Sequence, residues 1–312
     1  MAFKSVVLTG AQENPPVTTQ AAGTGVISFD LDSGTVSGVI ATGGLTATAG
    51  HIHEGAPGVN APVIVPMTQG PAGTWSFPAG SVLTTAQRTS LANGNLYVNV
   101  HSAAFPGGEI RAQIGRQIWF ATLRGAQEVP PVTTDATGLG RFVYDPDTRT
   151  LSGTVTTTGV TGTAAHVHTG LIGVAGPVTI PMIGGPTWTL PATVLTDAQD
   201  ADLRAGRMYA NVHSAANPGG EIRGQLYQPT RQAFMVGSSE VPAVSSSATG
   251  ACWVTVNPAT MAVAGRIEAS IAAGTAAHLH RGAPNVAGPV VVPMTSPSAG
   301  VWTIAAGATL TD

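Results

Sequence analysis

The sequence predicts an all-β chain of tandem Greek-key, immunoglobulin-like β-sandwich domains with one short helix per complete domain, and three observations carry that reading. Alternations such as Ile27, Phe29 and Leu31 against Ser28 and Asp30 mark half-buried strands, whose side chains point to opposite faces in turn. The 40 glycines and 23 prolines supply frequent turns, and only 9% of residues are charged. A motif also returns along the 312 residues: Gly10-Ala11-Gln12-Glu13-Asn14-Pro15-Pro16-Val17 recurs 115 residues later as Gly125-Ala126-Gln127-Glu128-Val129-Pro130-Pro131-Val132, and after a further 112 as Gly237-Ser238-Ser239-Glu240-Val241-Pro242-Ala243-Val244. That period means whole domains in tandem, since solenoid units are far shorter. The expected domains are 1–116, 117–229 and 230–312, joined by linkers so short that neighbours should touch.

Within the first unit the strand through Ile27 to Leu31 meets a turn at Asp32-Ser33-Gly34 and continues as Thr35 to Ile40, a hairpin pattern. Further strands are expected over Thr48 to His53, Pro62 to Pro66, Gly73 to Phe77, Leu96 to His101 and Glu109 to Ile114. About eight strands in roughly 110 residues suit a sandwich of the immunoglobulin or dismutase sort. One helix interrupts them, where Thr84 and Gln87 stand three apart as a capping box requires and Gly94 supplies the stop. Thr196, Gln199 and Gly206 repeat this arrangement. In the strand that follows, Val98 and Val100 face the core while Tyr97, Asn99 and His101 share the other face.

The third unit stops at Ala308-Thr309-Leu310-Thr311-Asp312, short of the helix, the third histidine and the last two strands. Such an open sheet edge invites pairing. The expectation is that the natural gene product continues beyond Asp312 or that a partner chain supplies strands.

Composition narrows the function classes. With 43% apolar residues in alternating pattern the chain is not disordered, and a net charge of −3 without a basic cluster excludes a nucleic-acid partner. No run approaches the roughly 18 apolar residues needed to span a bilayer. The lone Cys252 excludes intrachain disulfides and Cys-x-x-Cys metal sites, and its apolar strand context reads as core filling. Met1-Ala2-Phe3-Lys4-Ser5 has no apolar signal region, so the protein is either cytoplasmic or has lost a signal peptide. Gly107-Gly108 precedes a strand, which makes it no phosphate loop, and no Ser-His-Asp set or close carboxylate pair is evident.

Histidine is used in one pattern only. All eight occur as His51-x-His53 with His101, His166-x-His168 with His213, and His278-x-His280. In a strand, residues two apart project from one face about 6.6 Å apart at Cα, within reach of a single metal ion. A small residue, Gly50, Ala165 or Ala277, precedes each pair. Three neutral imidazoles suit copper or zinc, with Cu(II) bound more tightly by an ordinary nitrogen set. Glu54 is an unsuitable ligand because Thr169 and Arg281 replace it in the other units. Glu13, Glu128 and Glu240 recur, and either orient an imidazole through its second N–H or hold the Pro-Pro turn. Glu109 with Arg111, and Glu221 with Arg223, lie on one strand face as candidate ion pairs, and an arginine flanking the metal would attract a small anion. Met67, Met182 and Met294 follow each pair at a fixed interval; a thioether can bind copper, but core filling is the favoured reading.

Gly50-His51-Ile52-His53-Glu54-Gly55-Ala56-Pro57-Gly58, Tyr97-Val98-Asn99-Val100-His101-Ser102 and Pro106-Gly107-Gly108-Glu109-Ile110-Arg111 resemble the CHRD domain, named for chordin. The second unit carries the set again in Ala165 to Gly170, Tyr209 to Ser214 and Pro218 to Arg223. The resemblance covers nearly the whole chain and implies a β-sandwich in an extracellular or periplasmic setting, without a settled activity. A copper/zinc superoxide dismutase also places His-x-His on a similar sandwich, but here there is no fourth histidine per unit, no bridging histidine with a zinc-site aspartate and no disulfide. Two classes of function follow: a secreted module that stores, scavenges or presents copper or zinc, with dismutase-type copper oxidoreductase chemistry as its extension, and an adhesive or scaffolding repeat that binds protein or carbohydrate.

Overall fold

The computed structural model describes residues 1–257, 260–270, 274–283 and 286–310, so Thr311 and Asp312 lie outside the described residues. The protein is all-β, as predicted, and among the described residues every strand pair is antiparallel. The first repeat holds β1 (Ala2–Thr9), β2 (Ala22–Phe29), β3 (Val36–Gly43), β4 (Ala47–Glu54), β5 (Val63–Pro66), β6 (Thr68–Gln69), β7 (Thr74–Ser76), α1 (Thr85–Ala92), β8 (Leu96–Ser102) and β9 (Ile110–Gln113). These strands form one sheet in the order β5-β4-β8-β9-β1-β2-β3-β7-β6.

The second repeat holds β10 (Gln117–Arg124), β11 (Thr137–Asp145), β12 (Thr150–Thr158), β13 (Gly162–Thr169), β14 (Val178–Gly184), β15 (Thr187–Val194), α2 (Asp197–Arg204), β16 (Met208–Ser214) and β17 (Ile222–Gln225). The same order closes into a barrel, because the unbroken β14 pairs with both β13 and β15. In the first repeat the equivalent stretch is divided at Met67 into β5, which pairs with β4, and β6, which pairs with β7. The run β12-β15-β14-β13 is the Greek-key part of the barrel, three hairpin-linked strands with an earlier one returning beside the last.

The third repeat holds β18 (Thr230–Val236), β19 (Thr249–Val256), β20 (Val263–Ala269), β21 (His278–His280), β22 (Val290–Ser298) and β23 (Val301–Ile304). Its sheet runs β18-β19-β20-β23-β22-β21, and among the described residues nothing corresponds to β8–β9 or β16–β17. Residues 1–114 pack with the third repeat as one compact unit, and 115–229 form another. Within the former, the Trp253 indole donates to the Gln20 carbonyl at 3.3 Å and the Gln20 amide donates to the Ile304 carbonyl at 2.6 Å.

The cores follow the predicted alternation. Val98 and Val100 join Ile27, Phe29, Ile40, Ile52 and Trp75 in the first core, and Val167, Phe142 and Trp188 anchor the second. Met67, Met182 and Met294 are all buried in these clusters, which supports the core reading over the thioether ligand. Cys252 is half-buried against the third core, and burial pushes its thiol up. Both capping boxes form: Thr84 accepts from the Gln87 N–H, Thr196 accepts from the Gln199 N–H, and each glutamine returns a bond to the cap backbone. Gly94 and Gly206 end the helices at φ of +71° and +69°, a conformation other residues disfavour.

Candidate metal centre

Strand pairing brings the distant histidine to the His-x-His pair. β4 lies beside β8 with Ala49 opposite His101, His51 opposite Asn99 and His53 opposite Tyr97. Gly50 and Ile52 alternate with the histidines and face the core, where a Cβ on Gly50 would lie 3.0 Å from the Trp75 ring. That contact accounts for a small residue before the pair. β13 and β16 repeat the register, with Ala164 opposite His213, His166 opposite Asn211 and His168 opposite Tyr209.

The three rings converge in both complete repeats. One nitrogen from each of His51, His53 and His101, and likewise of His166, His168 and His213, lies within 4.8 Å of the other two. His51 Nδ1 stands 3.2 Å from His101 Nε2, and His166 Nδ1 stands 3.1 Å from His213 Nε2. Two nitrogens bound tetrahedrally to one zinc-like ion at 2.0–2.1 Å would sit ~3.3 Å apart, so these pairs already have the required spacing.

Backbone carbonyls set the tautomers. His53 donates Nδ1–H to Ala61 O at 2.8 Å and His101 donates Nδ1–H to Pro106 O at 3.0 Å. A carbonyl can only accept, so Nε2 of each ring is left unprotonated, that of His101 within hydrogen-bond reach of His51 Nδ1. The second repeat matches, with His168 on Gly176 O and His213 on Pro218 O, both at 3.0 Å. The Nε2 atoms of His53 and His168 are buried without a hydrogen-bond partner. Such orphaned atoms call for a missing ligand, and a metal ion would satisfy them. Burial is the leading cause that holds His51, His53, His101, His166 and His168 below the ordinary imidazole range, which keeps them neutral and able to ligate.

Tyr97 links the centre to the buried polar network, a part that sequence reasoning did not assign. Its ring stacks on His53 with centroids 4.8 Å apart and planes 5° apart, and Arg111 Cζ lies 3.4 Å from the ring centroid. Because β8 lies between β4 and β9, the imidazole and the guanidinium take opposite faces of the ring. The Tyr97 hydroxyl accepts the Ala61 N–H at 3.0 Å and lies 3.4 Å from the Ala61 carbonyl oxygen, fixing the residue whose carbonyl holds His53. Tyr209 does the same with His168 at 4.9 Å, Arg223 at 3.5 Å and the Gly176 N–H at 3.0 Å. The signal was present in the alternation, which set Tyr97 on the histidine face, but the neighbouring β9 was not assigned in register.

The acidic residues are placed differently from expectation. Glu13 is 6% exposed and bonds to Asn99, with Arg111 opposing the effect of burial, which pushes its pKa up to about 8. Glu128 bonds to Asn211 and is pushed up to about 7 by burial. The Nδ1–H groups of His53, His101, His168 and His213 are held by backbone carbonyls and not by these glutamates, for which the alternative was a role at the Pro-Pro turn. Gly108, at φ +130°, makes room for the pair: a Cβ there would meet Asn99 Nδ2 at 2.4 Å and Glu13 Oε1 at 2.8 Å. Glu109 accepts from the Thr19 hydroxyl at 2.5 Å and Glu221 accepts from Thr134 at 2.9 Å. Arg111 donates to Ala56 O and Gln113, and it is 1% exposed. The pairing expected of Glu109 with Arg111 thus gives way to an Arg111–Glu13 interaction, and a buried guanidinium behind a tyrosine ring does not steer anions through solvent. Glu54 accepts from Ser90 at 2.6 Å, outside the cluster.

The third repeat keeps only the local part. His278 and His280 are exposed, their ring centroids are 5.8 Å apart, and His280 Nδ1 donates to Gly288 O at 2.8 Å. Glu240 is exposed as well.

Comparison with known proteins accounts for the repeated design. No curated protein and no solved structure matches the chain. The model of the CHRD domain matches three times in tandem, over residues 4–114, 119–226 and 231–312. With nearly its whole length matched, the chain belongs to the CHRD domain family.

Proposed function

We propose that each complete repeat is a transition-metal site, copper in preference to zinc, in a secreted protein that binds or presents the ion. The ligands are His51, His53 and His101 in the first repeat and His166, His168 and His213 in the second. His278 and His280 form a weaker partial site in the third. The observation that carries this reading is the buried, unpartnered Nε2 of His53 and His168, each aimed among two other imidazole nitrogens. Neutral nitrogen donors of intermediate softness suit Cu(II) and Zn(II), and at equal geometry Cu(II) binds more tightly. Tyr97 with Arg111, and Tyr209 with Arg223, act one layer out by holding the ring plane and the carbonyl partner of His53 and His168. Glu13 and Glu128 act further out through Asn99 and Asn211.

The extracellular setting rests on the family, whose domains are typically found in secreted proteins, and among the described residues no helix is long and apolar enough to cross a membrane. Metal analysis tests the proposal. Apo protein exposed to micromolar Cu(II) or Zn(II), then freed of excess ion, should retain one tightly bound ion per complete repeat. Retention of none would leave the histidines as hydrogen-bonding groups and favour a scaffolding role.

A further inference from the structure

The charge of the centre decides what else it binds. Among the described residues no carboxylate joins either histidine cluster. His53 and His101 give their Nδ1–H to uncharged carbonyls, so neither ring has a carboxylate partner to draw that proton away. On the far side of Tyr97 the Arg111 guanidinium adds positive charge at 3.4 Å from the ring centroid. Glu13, the acid beside Arg111, is 6% exposed with Oε1 unpaired, and burial pushes its pKa up to about 8, so it is mostly neutral at pH 7. A divalent ion among these groups keeps its full charge in partly buried surroundings, where uncompensated charge is costly. His51 and His101 are only half-buried, which leaves one side of the cluster open to solvent. The second repeat has the same layout, with Arg223 at 3.5 Å from the Tyr209 centroid, and there Glu128, pushed up to about 7, is about half neutral at pH 7.

We infer that each complete repeat takes a small carboxylate-class monoanion as an exchangeable fourth ligand on the open side of its three histidines, an inference that rests on the metal reading above. The anion replaces a water molecule, leaves the three imidazoles in place and lowers the net charge of the centre by one. Open three-ligand sites of this kind keep a position for water or substrate, whereas structural sites are closed by a fourth protein ligand.

The test uses the full chain loaded with Cu(II) and titrated with azide, a monoanion whose bond to copper produces a charge-transfer absorption. The expected result is a band that saturates at one azide per retained copper and is displaced by formate. A chain that retains its copper but shows no azide band, or whose band formate leaves untouched, overturns the anion inference and leaves the metal reading standing. A chain that retains no copper overturns both, and metal content measured on the same sample tells the two failures apart.

Discussion

Replacing Tyr97 with phenylalanine isolates one element of the centre. The ring remains to stack on His53 at 4.8 Å and to carry Arg111, so what is lost is the hydroxyl that accepts the Ala61 N–H at 3.0 Å. Ala61 O receives His53 Nδ1–H at 2.8 Å and also lies 3.4 Å from the Tyr97 hydroxyl, so freeing Ala61 at both of its polar atoms loosens the tautomer and the plane of the ligand ring. A partly buried N–H left unpaired costs about 1–3 kcal/mol in stability of the repeat. For the metal, loss of a bond that supports a ligand typically costs 10–100-fold in affinity, or about 1.4–2.7 kcal/mol. The second repeat, with Tyr209 intact, serves as an internal reference in the same molecule. Competition of copper-loaded Tyr97→Phe with a graded chelator should give two release steps separated by that factor, where the unmodified chain gives one. A single step, with both sites equal to within about twofold, would refute the argument that the hydroxyl–peptide–imidazole chain prepares the ligand.

Removing a ligand should be more severe. His101→Ala leaves the first site with the same two-histidine set as His278 and His280, so its affinity should fall by more than about 100-fold and approach that of the third repeat, as read by equilibrium dialysis. Glu13→Gln should change the pH dependence of stability. Its carboxyl is raised to about 8 in the folded state from 4.5, so the folded state binds the extra proton; the stability it contributes is present below about pH 4.5 and is lost as pH rises through about 8. The variant, which is isosteric with the neutral acid, should melt progressively above the unmodified chain as the pH is raised from 5 to 9, and parallel melting curves across that range would contradict the assignment. Thr84→Ala removes the side-chain acceptor for the Gln87 N–H and should cost about 1 kcal/mol in chemical denaturation of the first repeat.

The sequence carried the local geometry well because strand alternation has a period of two. It put His51 and His53 on one face, His101 with Tyr97 and Asn99 on another strand's single face, and Val98 with Val100 in the core, all as found. Thr84 and Gln87 announced a capping box because its chemistry is contained in four residues. What alternation does not carry is which strand lies beside which. The stack of His53, Tyr97 and Arg111 depends on β8 sitting between β4 and β9, and the glutamate's choice of Asn99 over an imidazole depends on the turn after β1 lying against β9 and Gly108. Closure of the second repeat into a barrel has the same kind of cause, since it turns on whether the strand after the His-x-His pair is continuous, as in β14, or broken at Met67.

The third repeat separates these two kinds of information inside one chain. His280 donates to Gly288 O across eight residues, the same separation as His53 to Ala61 and His168 to Gly176, although the described part of that repeat has no strand corresponding to β8 or β16. The carbonyl that fixes the tautomer is therefore a property of the loop that follows each His-x-His pair. The third imidazole, the tyrosine ring and the arginine behind it all come from later strands. Where those strands are present, the second histidine of the pair is buried and its Nε2 is orphaned; in the third repeat His280 is exposed to water. The later strands of each complete repeat therefore supply the burial that leaves a preset imidazole lone pair without a partner, which is the feature on which the proposed metal site rests.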